Sequence, residues 1–343
     1  MSSYPYPLLK PPSFAWDRSH APAEPKVNEW ITTLEVSTAA STDWSAYDVA
    51  ILGVPLSRSS ISASAASENP EAMRRAWKYF TTYNLDHDVD LSDLRVLDLG
   101  DVRQHVTDIA QCHRNIREAM VQMRTHHPEV LPLMMGGDHS ITAMLIKGYK
   151  DAHPEQRIGI LQLDTHFDLR DLTDNGPSNG TPIRNLIESG TIRAEDVHNI
   201  GLHGFFNARS LKTYADETGV RYTTLRQARK KGVGEAVAEA LVALGQQVDT
   251  IYLTVDMDVL DCSYGPGVPA STPGGMHSGE LFEAVHAAGL FSKVKAMDIV
   301  CLDPFKDQRE ATVKTAVHVM LSFLTGYHQR LNKKEPDDPK GCL

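Results

Sequence analysis

Apolar and polar positions follow two recurrent patterns along the chain. Short runs rich in β-branched residues and Leu, bounded by Gly, Asp or Pro, predict buried strands. These strands are Tyr47–Val54, Leu94–Leu99, Val130–Met135, Ile158–Leu163, Val197–Leu202, Thr250–Val255 and Val294–Val300. Amphipathic stretches predict helices at Pro70–Tyr83, Asp108–His126, Ser140–Lys150, Thr181–Glu188, Val233–Leu244, Ser278–Ala288 and Arg309–Leu331. The alternation predicts an α/β fold with a mostly parallel sheet and helices on both faces.

The two ends of the chain lack this alternation. Residues 1–45 are rich in Pro, Ser, Thr and Ala, and we expect an extended arm with one short helix near Val27–Leu34. Residues 333–343 have the composition of a solvated tail. Because residues 46–332 contain no internal repeat and no linker, we expect a single domain there.

Composition narrows the classes of function. The 343-residue chain has a formal net charge of -10, which argues against general binding of nucleic acid or anionic membranes. Its four cysteines form no CxxC pair, so neither a disulfide framework nor a zinc ribbon is expected. The sequence has no signal-peptide pattern and no bilayer-spanning apolar run, and we expect a cytoplasmic protein.

Polar segments stand at the carboxyl ends of three predicted strands, where open α/β sheets bind their ligands. They are Met135–Ser140, Leu163–Asp168 and Val255–Asp261. In extended backbone, every second side chain points to the same side, so each of the last two segments could direct several side chains into one cavity. The candidate ligands are His139, Asp164, His166, Asp168, Asp256 and Asp258.

These six side chains suit divalent metal ions. Mixed carboxylate and imidazole donors favour Mn²⁺ over Zn²⁺, Co²⁺ or Fe²⁺, and bridging carboxylates can hold two ions that activate a shared water. A single Asp or His at a strand end is more often a capping or turn residue. Burying several carboxylates without cations costs several kcal/mol each, however, so the grouping favours a metal site.

The three segments resemble the signature motifs of the ureohydrolase family, which includes arginase, agmatinase and formimidoylglutamase. The motifs are GGDHS at residues 136–140, DxHxD at 164–168, and DxDxxD at 256–261 followed by Pro- and Gly-containing loops. The resemblance extends from Tyr47 to Gly326. It implies a doubly wound three-layer α/β/α sandwich, a homo-oligomer that is a trimer or hexamer, and two Mn²⁺ ions per subunit.

The resemblance also implies how the metal ligands are shared. One ion would take His139, Asp164, Asp168 and Asp256. The other would take His166, Asp164, Asp256 and Asp258. A hydroxide held between the ions, at the bridging Asp164 and Asp256, would attack the planar carbon of an amidine or guanidinium group.

Two departures from the family pattern argue against the members that form urea. Asn179 stands where arginases and agmatinases have a His that is thought to carry protons, and Asn does not titrate near neutral pH. Cys301 stands where the family usually has a Glu that binds the guanidinium. We interpret Cys301 as a small buried wall of the pocket.

Two arginines suggest a substrate that carries carboxylates. Arg170 is expected at the rim of the pocket and Arg184 nearby, where a guanidinium can fork onto a carboxylate. N-formimidoyl-L-glutamate, cleaved to L-glutamate and formamide in histidine degradation, fits such a pocket, and these features resemble the formimidoylglutamase branch. The structural alternatives are an ion pair from Arg170 to Asp171 or Asp174, and a structural role for Arg184.

Other interpretations stay open. Asn179 would bind substrate or water, and His203 would be either a catalytic group or a core histidine. The product would be formamide or, for a deiminase, ammonia. The rival functions are an agmatinase or another guanidino-acid ureohydrolase that releases urea, and a non-catalytic metal-binding relative. Partners are expected to be small molecules, with no nucleic acid and no membrane.

Overall fold

A ten-stranded sheet lies between two layers of helices in the computed structural model, which describes residues 8–15, 24–34, 43 and 46–332. The strands are β1 Leu9–Lys10, β2 Thr32–Thr33, β3 Val49–Val54, β4 Tyr83–Asn84, β5 Val89–Asp90, β6 Val96–Val102, β7 Leu131–Gly136, β8 Ile158–Leu163, β9 Val197–Ile200, β10 Arg221–Thr223, β11 Thr250–Asp256 and β12 Val294–Val300. Their order in the sheet is β1-β6-β3-β7-β12-β11-β8-β9-β10, and β2 also pairs with β6. Of the strands that the structure describes in this sheet, only β1 pairs antiparallel, whereas β4 and β5 form a separate hairpin.

Eleven α-helices are present in the described part of the chain. They are α1 Val27–Trp30, α2 Asn69–Ala76, α3 Ile109–His126, α4 Ser140–Ala152, α5 Leu172–Asn175, α6 Pro182–Glu188, α7 Arg209–Thr218, α8 Leu225–Ala228, α9 Val233–Gly245, α10 Ser278–Leu290 and α11 Ala311–Asn332. Short 3₁₀ turns occur at Ala66–Glu68, Trp77–Tyr79, Leu91–Asp93, Ala194–Asp196 and Met257–Val259. Helices α2, α9, α10 and α11 pack on one face of the sheet, and α3, α4, α6 and α7 pack on the other.

The side chains of each central strand divide between two cores. In β3, Val49 and Ile51 face one core while Ala50 and Leu52 face the other. Every residue of β3, β7, β8 and β11 is buried, as expected for parallel strands covered on both faces. The prediction of a mostly parallel sheet in a three-layer α/β/α sandwich is confirmed.

The predicted elements match the observed ones best where apolar periodicity is strong. Strands β8 and β12 have the predicted bounds. Helix α11 begins at Ala311 rather than Arg309, because Arg309 and Glu310 have φ of 56° and 57°, outside helical geometry. Helix α2 ends at Ala76 and continues as a 3₁₀ turn. Helix α7 was not predicted, because its polar surface faces outward and Ala215 is its only buried residue.

The N-terminal region contributes α1 and the short strands β1 and β2, both of which pair with β6. The predicted tail, residues 333–343, lies outside the described residues. Among the helices of residues 8–15, 24–34 and 46–332, none combines the length and the apolar character needed to cross a bilayer.

A buried arginine fastens α2 to the carboxyl end of β6. Arg74 donates to both oxygens of Asp98, at 2.7 and 2.9 Å, and to Asp101 at 2.7 Å. Arg74 and both carboxylates are almost fully buried. Removing one partner of such a buried pair costs about 3–5 kcal/mol, because the other charge is left uncompensated. This ion pair therefore supports the edge of the sheet at which the three polar segments lie.

Strand order brings the three polar segments together. Strands β7, β12, β11 and β8 are successive neighbours in the sheet and run parallel. Near their carboxyl ends, Met135 is level with Ile299, and Val255 is level with both Ile299 and Leu163. The residues that follow β7, β8 and β11 therefore meet above one edge of the sheet.

Candidate metal centre

The first segment leaves β7 through a pair of glycines that allow a close backbone approach. A Cβ on Gly137 would lie 1.9 Å from the carbonyl oxygen of Leu56, so no side chain fits there. The Leu56 carbonyl accepts a hydrogen bond from the Asp138 amide at 2.7 Å. The Asp138 carboxylate accepts hydrogen bonds from the backbone amides of Ser59 and Ser140. This packing fixes His139 at the start of α4.

The second segment turns instead of continuing as a strand. Strand β8 ends at Leu163, and the Asp164 carboxylate accepts a hydrogen bond from the His166 amide at 2.6 Å. Asp168 has a φ of 56°, in the left-handed region that non-glycine residues rarely adopt. The expectation that extended backbone aligns these side chains was wrong, because a turn brings them to one side.

The third segment also turns at its first ligand. The Asp256 carboxylate accepts a hydrogen bond from the Asp258 amide at 2.9 Å, and Met257–Val259 forms a 3₁₀ turn. The Thr165 hydroxyl donates to the Asp258 carbonyl at 2.8 Å, which connects the third segment to the second. Both carboxylates of this segment are therefore held by local hydrogen bonds at the edge of the sheet.

His139 lies at the centre of the first donor set. Its Nδ1 is 2.7 Å from Asp168 Oδ2, 3.0 Å from Asp256 Oδ2 and 3.3 Å from Asp164 Oδ2. His139 is completely buried, and the same Nδ1 makes no hydrogen bond in the described structure. An orphaned buried nitrogen surrounded by three carboxylates is the arrangement expected of a metal ligand.

A second donor set lies beside the first and shares one carboxylate with it. His166 Nδ1 is 2.8 Å from Asp258 Oδ2 and 3.6 Å from Asp164 Oδ1. Donor atoms of Asp164, His166 and Asp258 lie within 4.8 Å of one another, and so do those of His139, Asp164 and Asp168. The two groups share Asp164 and hold five of the six candidate ligands, and the sixth, Asp256, lies 3.0 Å from His139 Nδ1. The structure thus brings all six together.

The pKa values in this cluster reflect an excess of negative charge. Burial and the neighbouring Asp164 raise the pKa of Asp168 to about 7. Burial, followed by the charge of Asp256, raises the pKa of Asp258 well above its usual range. Burial lowers the pKa of His166, but attraction to Asp258 and Asp164 outweighs this effect and raises it to about 12. Without bound cations, protons therefore supply part of the positive charge that would neutralise the carboxylates of the cluster.

The residues present fit divalent metal ions. Among the described residues, the only cationic groups within 4.0 Å of these four carboxylates are the two imidazoles. Buried carboxylates need paired cations or metal coordination. Carboxylate and imidazole donors together suit ions between hard and borderline character. These side chains could therefore hold metal ions that would supply the missing positive charge.

A buried hydrogen-bond network orients His139, and the sequence analysis missed it. His139 Nε2 lies 2.9 Å from the Thr254 hydroxyl, which donates to Asp298 at 2.6 Å. Thr142 and Tyr252 also donate to Asp298, at 2.7 and 2.9 Å. Because the Thr254 proton is used on Asp298, the hydroxyl accepts from Nε2–H, and Nδ1 keeps its lone pair for the cluster.

Signals for these supporting residues were present in the sequence. Thr254 is two residues before Asp256 on β11 and so shares its face. Gln162 has the same relation to Asp164, and its amide donates to Asp164 at 2.7 Å and to Asp168 at 3.2 Å. Asp298 is a lone carboxylate within the apolar strand β12, and unpaired carboxylates are rarely fully buried.

Arg170 and Asn179 lie together beside the centre. Arg170 is exposed two residues beyond Asp168, its amide donates to the Gly180 carbonyl, and it forms no ion pair with Asp171 or Asp174. The side-chain oxygen of Asn179 accepts a hydrogen bond from the Ile61 amide at 2.8 Å, and the backbone amide of Asn179 donates to the Ser59 carbonyl at 3.0 Å. Asn179 therefore fastens its loop to the loop that also contacts Asp138.

Arg184 is occupied by structural contacts. Its guanidinium donates to Asp171 and to Glu188, both at 2.6 Å, and lies over the Tyr214 ring at 4.5 Å. Its backbone amide donates to the Asp168 carbonyl at 3.3 Å. Binding of a substrate by the Arg184 side chain would require at least one of these contacts to break.

His203 joins two loops near the carboxyl end of β9. Its Nδ1 lies 2.9 Å from the Gly201 carbonyl, and its Nε2 lies 3.2 Å from the Thr272 hydroxyl. The ring is half-buried and meets Phe206 edge-on. A carbonyl can only accept, so Nδ1 carries the proton and Nε2 is the basic nitrogen. His203 belongs to none of the metal-binding groups of the described residues.

Cys301 is buried immediately after β12 and lies close to the ligands. Its thiol lies with donor atoms of His139 and Asp256 in a group whose members are all within 4.8 Å. Burial and the charges of Asp256 and Asp258 raise the pKa of this thiol well above its usual range.

Comparisons with known proteins agree with this geometry. The family model described as the arginase family matches residues 47–326. A formimidoylglutamase of Halalkalibacterium halodurans is 42% identical over 276 residues, which cover 80% of this chain and 86% of the relative. The crystal structure of formimidoylglutamase from Bacillus subtilis is 34% identical, with a TM-score of 0.84 over 94% of this chain and 97% of that chain. A Trypanosoma cruzi formiminoglutamase solved with Mn²⁺ is 22% identical and shares the fold, with a TM-score of 0.80 over 90% of this chain and 99% of that chain.

Proposed function

Since the chain belongs to the arginase family, we propose that it is a formimidoylglutamase, which hydrolyses N-formimidoyl-L-glutamate to L-glutamate and formamide. One observation carries the hydrolytic part of this proposal: four buried carboxylates and two imidazoles meet at the carboxyl edge of the sheet. The choice of substrate is supported by the relatives of that name, at 42% and 37% identity.

We further propose that the metal cofactor is a pair of Mn²⁺ ions. His139, Asp164, Asp168 and Asp256 would hold one ion, and His166, Asp164, Asp256 and Asp258 the other. Bound ions of this kind lower the pKa of water and polarise a neighbouring C–N group. The contribution of the chain is to hold the imidazoles as neutral ligands and to keep the carboxylates in place by hydrogen bonds from Gln162, Thr165 and backbone amides.

Residues around the centre are proposed to bind and orient the substrate. Arg170 would fork onto a substrate carboxylate, since its guanidinium is exposed near the centre and makes no ion pair with a described residue. The Asn179 amide would face the formimidoyl group or a water, and Arg184 would add a positive charge at longer range. The leaving amine of glutamate needs a proton, and His203 is our candidate for carrying it, through Nε2.

Several further properties belong to the same proposal. Residues 46–332 would form the catalytic domain, preceded by the arm at 1–45 and followed by the tail at 333–343. The protein would act in the cytoplasm as a homo-oligomer, a trimer or hexamer, on small-molecule substrates in histidine degradation.

A substrate panel tests the proposal. Protein loaded with Mn²⁺ is incubated with formimidoylglutamate, agmatine, arginine and guanidinobutyrate, while formamide, urea and ammonia are each measured. We expect formamide and glutamate in equal amounts from formimidoylglutamate alone. Urea at high turnover would favour a guanidino-acid ureohydrolase, and ammonia a deiminase. Bound Mn²⁺ without turnover of any substrate would favour a non-catalytic relative.

A further inference from the structure

A sulfur donor stands at the His139 side of the metal centre. Strand β12 ends at Val300, and the next residue, Cys301, donates its amide to the Gly137 carbonyl at 2.9 Å. This bond joins the cysteine to the glycine pair that positions His139. Cys301 has a φ of 62°, which a side-chain-bearing residue adopts only when its surroundings hold it there. The thiol is thus placed by the same backbone contacts as the histidine.

Three donor atoms of different chemistry meet at this position. The Cys301 thiol, the His139 imidazole and the Asp256 carboxylate offer atoms that all lie within 4.8 Å of one another, and all three residues are buried. His139 Nδ1, which is fully buried and makes no hydrogen bond in the described structure, is directed at Asp256 at 3.0 Å. A single buried thiol does not by itself indicate a metal site, but this thiol lies beside an imidazole nitrogen that has no hydrogen-bond partner among the described residues.

We propose that Cys301, His139 and Asp256 form a third donor set, which binds thiophilic divalent ions such as Zn²⁺ in competition with the ion that His139, Asp164, Asp168 and Asp256 would hold. Thiolate sulfur favours Zn²⁺, whereas carboxylate and carbonyl oxygen favour Mn²⁺. Sulfur, imidazole and carboxylate ligands with one water give Zn²⁺ its preferred four-coordinate site. When the ion binds, the Cys301 S–H proton passes to solvent and the sulfur–metal bond forms, without any change of oxidation state.

Sharing of ligands makes the two modes exclusive. His139 and Asp256 belong both to the set that contains Cys301 and to the first donor set, which would hold Mn²⁺. An ion bound through sulfur therefore occupies ligands that Mn²⁺ needs. Excess Mn²⁺ should therefore raise the apparent dissociation constant for Zn²⁺, and Zn²⁺ should inhibit the hydrolysis. The inference requires only these three side chains, and it holds whichever amidine or guanidine the protein cleaves.

X-ray absorption at the zinc edge tests the proposal directly. The full-length chain with Cys262→Ser and Cys342→Ser, which lacks the exposed thiol and the thiol of the C-terminal tail, receives one equivalent of Zn²⁺. We expect a sulfur neighbour at about 2.3 Å. In this background, Cys301→Ser should remove the sulfur signal. It should also weaken Zn²⁺ binding at least about tenfold, because the ion loses its thiolate ligand. The matched control, Cys112→Ser, removes another buried thiol on α3 and should leave both results unchanged.

The outcomes separate this inference from the proposed function. A zinc shell of nitrogen and oxygen alone in the starting background would overturn the inference, and so would a sulfur signal that survives Cys301→Ser. The first result needs no variant of Cys301, so it decides the question even if that variant fails to fold. Formamide release by the Mn²⁺-loaded protein is measured separately, and its absence would count against the proposed function only.

Discussion

Replacing Thr254 by Val tests whether a hydrogen bond sets the tautomer of a metal ligand. The Thr254 hydroxyl has one proton, which it donates to Asp298 at 2.6 Å, so it can only accept from His139 Nε2 at 2.9 Å. Valine has nearly the same shape but offers no acceptor. In the variant, Nε2–H is buried without a partner, and the preference for a lone pair on Nδ1 is lost.

The expected magnitude follows from these two bonds. A buried donor left unsatisfied costs about 1–3 kcal/mol of the free energy of unfolding. Loss of a partner that orients a metal-binding imidazole lowers metal affinity about 10–100-fold, or about 1.4–2.8 kcal/mol. Asp298 keeps its bonds from Thr142 and Tyr252, so the network should lose one connection and not collapse.

The assay measures Mn²⁺ affinity of the metal-free protein by calorimetry, with urea unfolding of the same samples. Thr254→Ser keeps the hydroxyl and is the matched control, for which we expect nearly unchanged affinity. If Thr254→Val binds Mn²⁺ as tightly as the parent, the hydrogen bond does not set the tautomer of His139 and the reasoning fails. Equal loss in the serine and valine variants would indicate a packing effect instead.

Three further predictions concern the substrate, the metal and pH. Arg170→Ala should raise KM for formimidoylglutamate about 10–100-fold, as expected for loss of a charge-assisted hydrogen bond, whereas Arg184→Ala should mainly lower stability; equal KM values for both variants would contradict the assignment. Mn²⁺ at 100 times its dissociation constant should raise the free energy of unfolding of the metal-depleted protein by about 2.7 kcal/mol for each ion bound; no stabilisation in urea unfolding would count against the metal site. Burial lowers the pKa of His113 to about 4 from 6.5. Between these pH values the unfolded chain binds one proton more than the folded chain, so the free energy of unfolding rises with pH. His113→Asn should reduce that slope by up to about 1.4 kcal/mol per pH unit, and an unchanged slope would refute the assignment.

Apolar periodicity and strand-end chemistry were sufficient to predict the frame and the six clustered side chains. Strands β8 and β12 are buried on both faces, so every position along them carries the signal. The three ligand segments could be located because parallel strands present their carboxyl ends at one edge of a sheet. What placed His139 next to Asp256, however, was strand order, which pattern alone does not provide.

Turns and networks were beyond sequence reasoning because they depend on contacts distant in the chain. Cys301 has a left-handed φ that tertiary packing imposes, since cysteine has no local preference for it. Asp168 is of a residue type that tolerates this region, but the residue type alone does not predict its φ. The sequence does not distinguish Arg184 from Arg170, but of these two arginines only Arg184 forms ion pairs with described residues, namely Asp171 and Glu188. Such ion pairs can be assigned only when the three-dimensional positions of both side chains are known.

The number of ions can be argued from charge. Asp164, Asp168, Asp256 and Asp258 are at most 5% exposed, and as ligands they carry four negative charges while the imidazoles stay neutral. One divalent ion would leave two of these charges uncompensated in a buried site, at a cost of several kcal/mol each. Two divalent ions balance the carboxylates. We therefore propose that charge neutrality, with Asp164 shared between the two donor sets, favours a second ion beside the first.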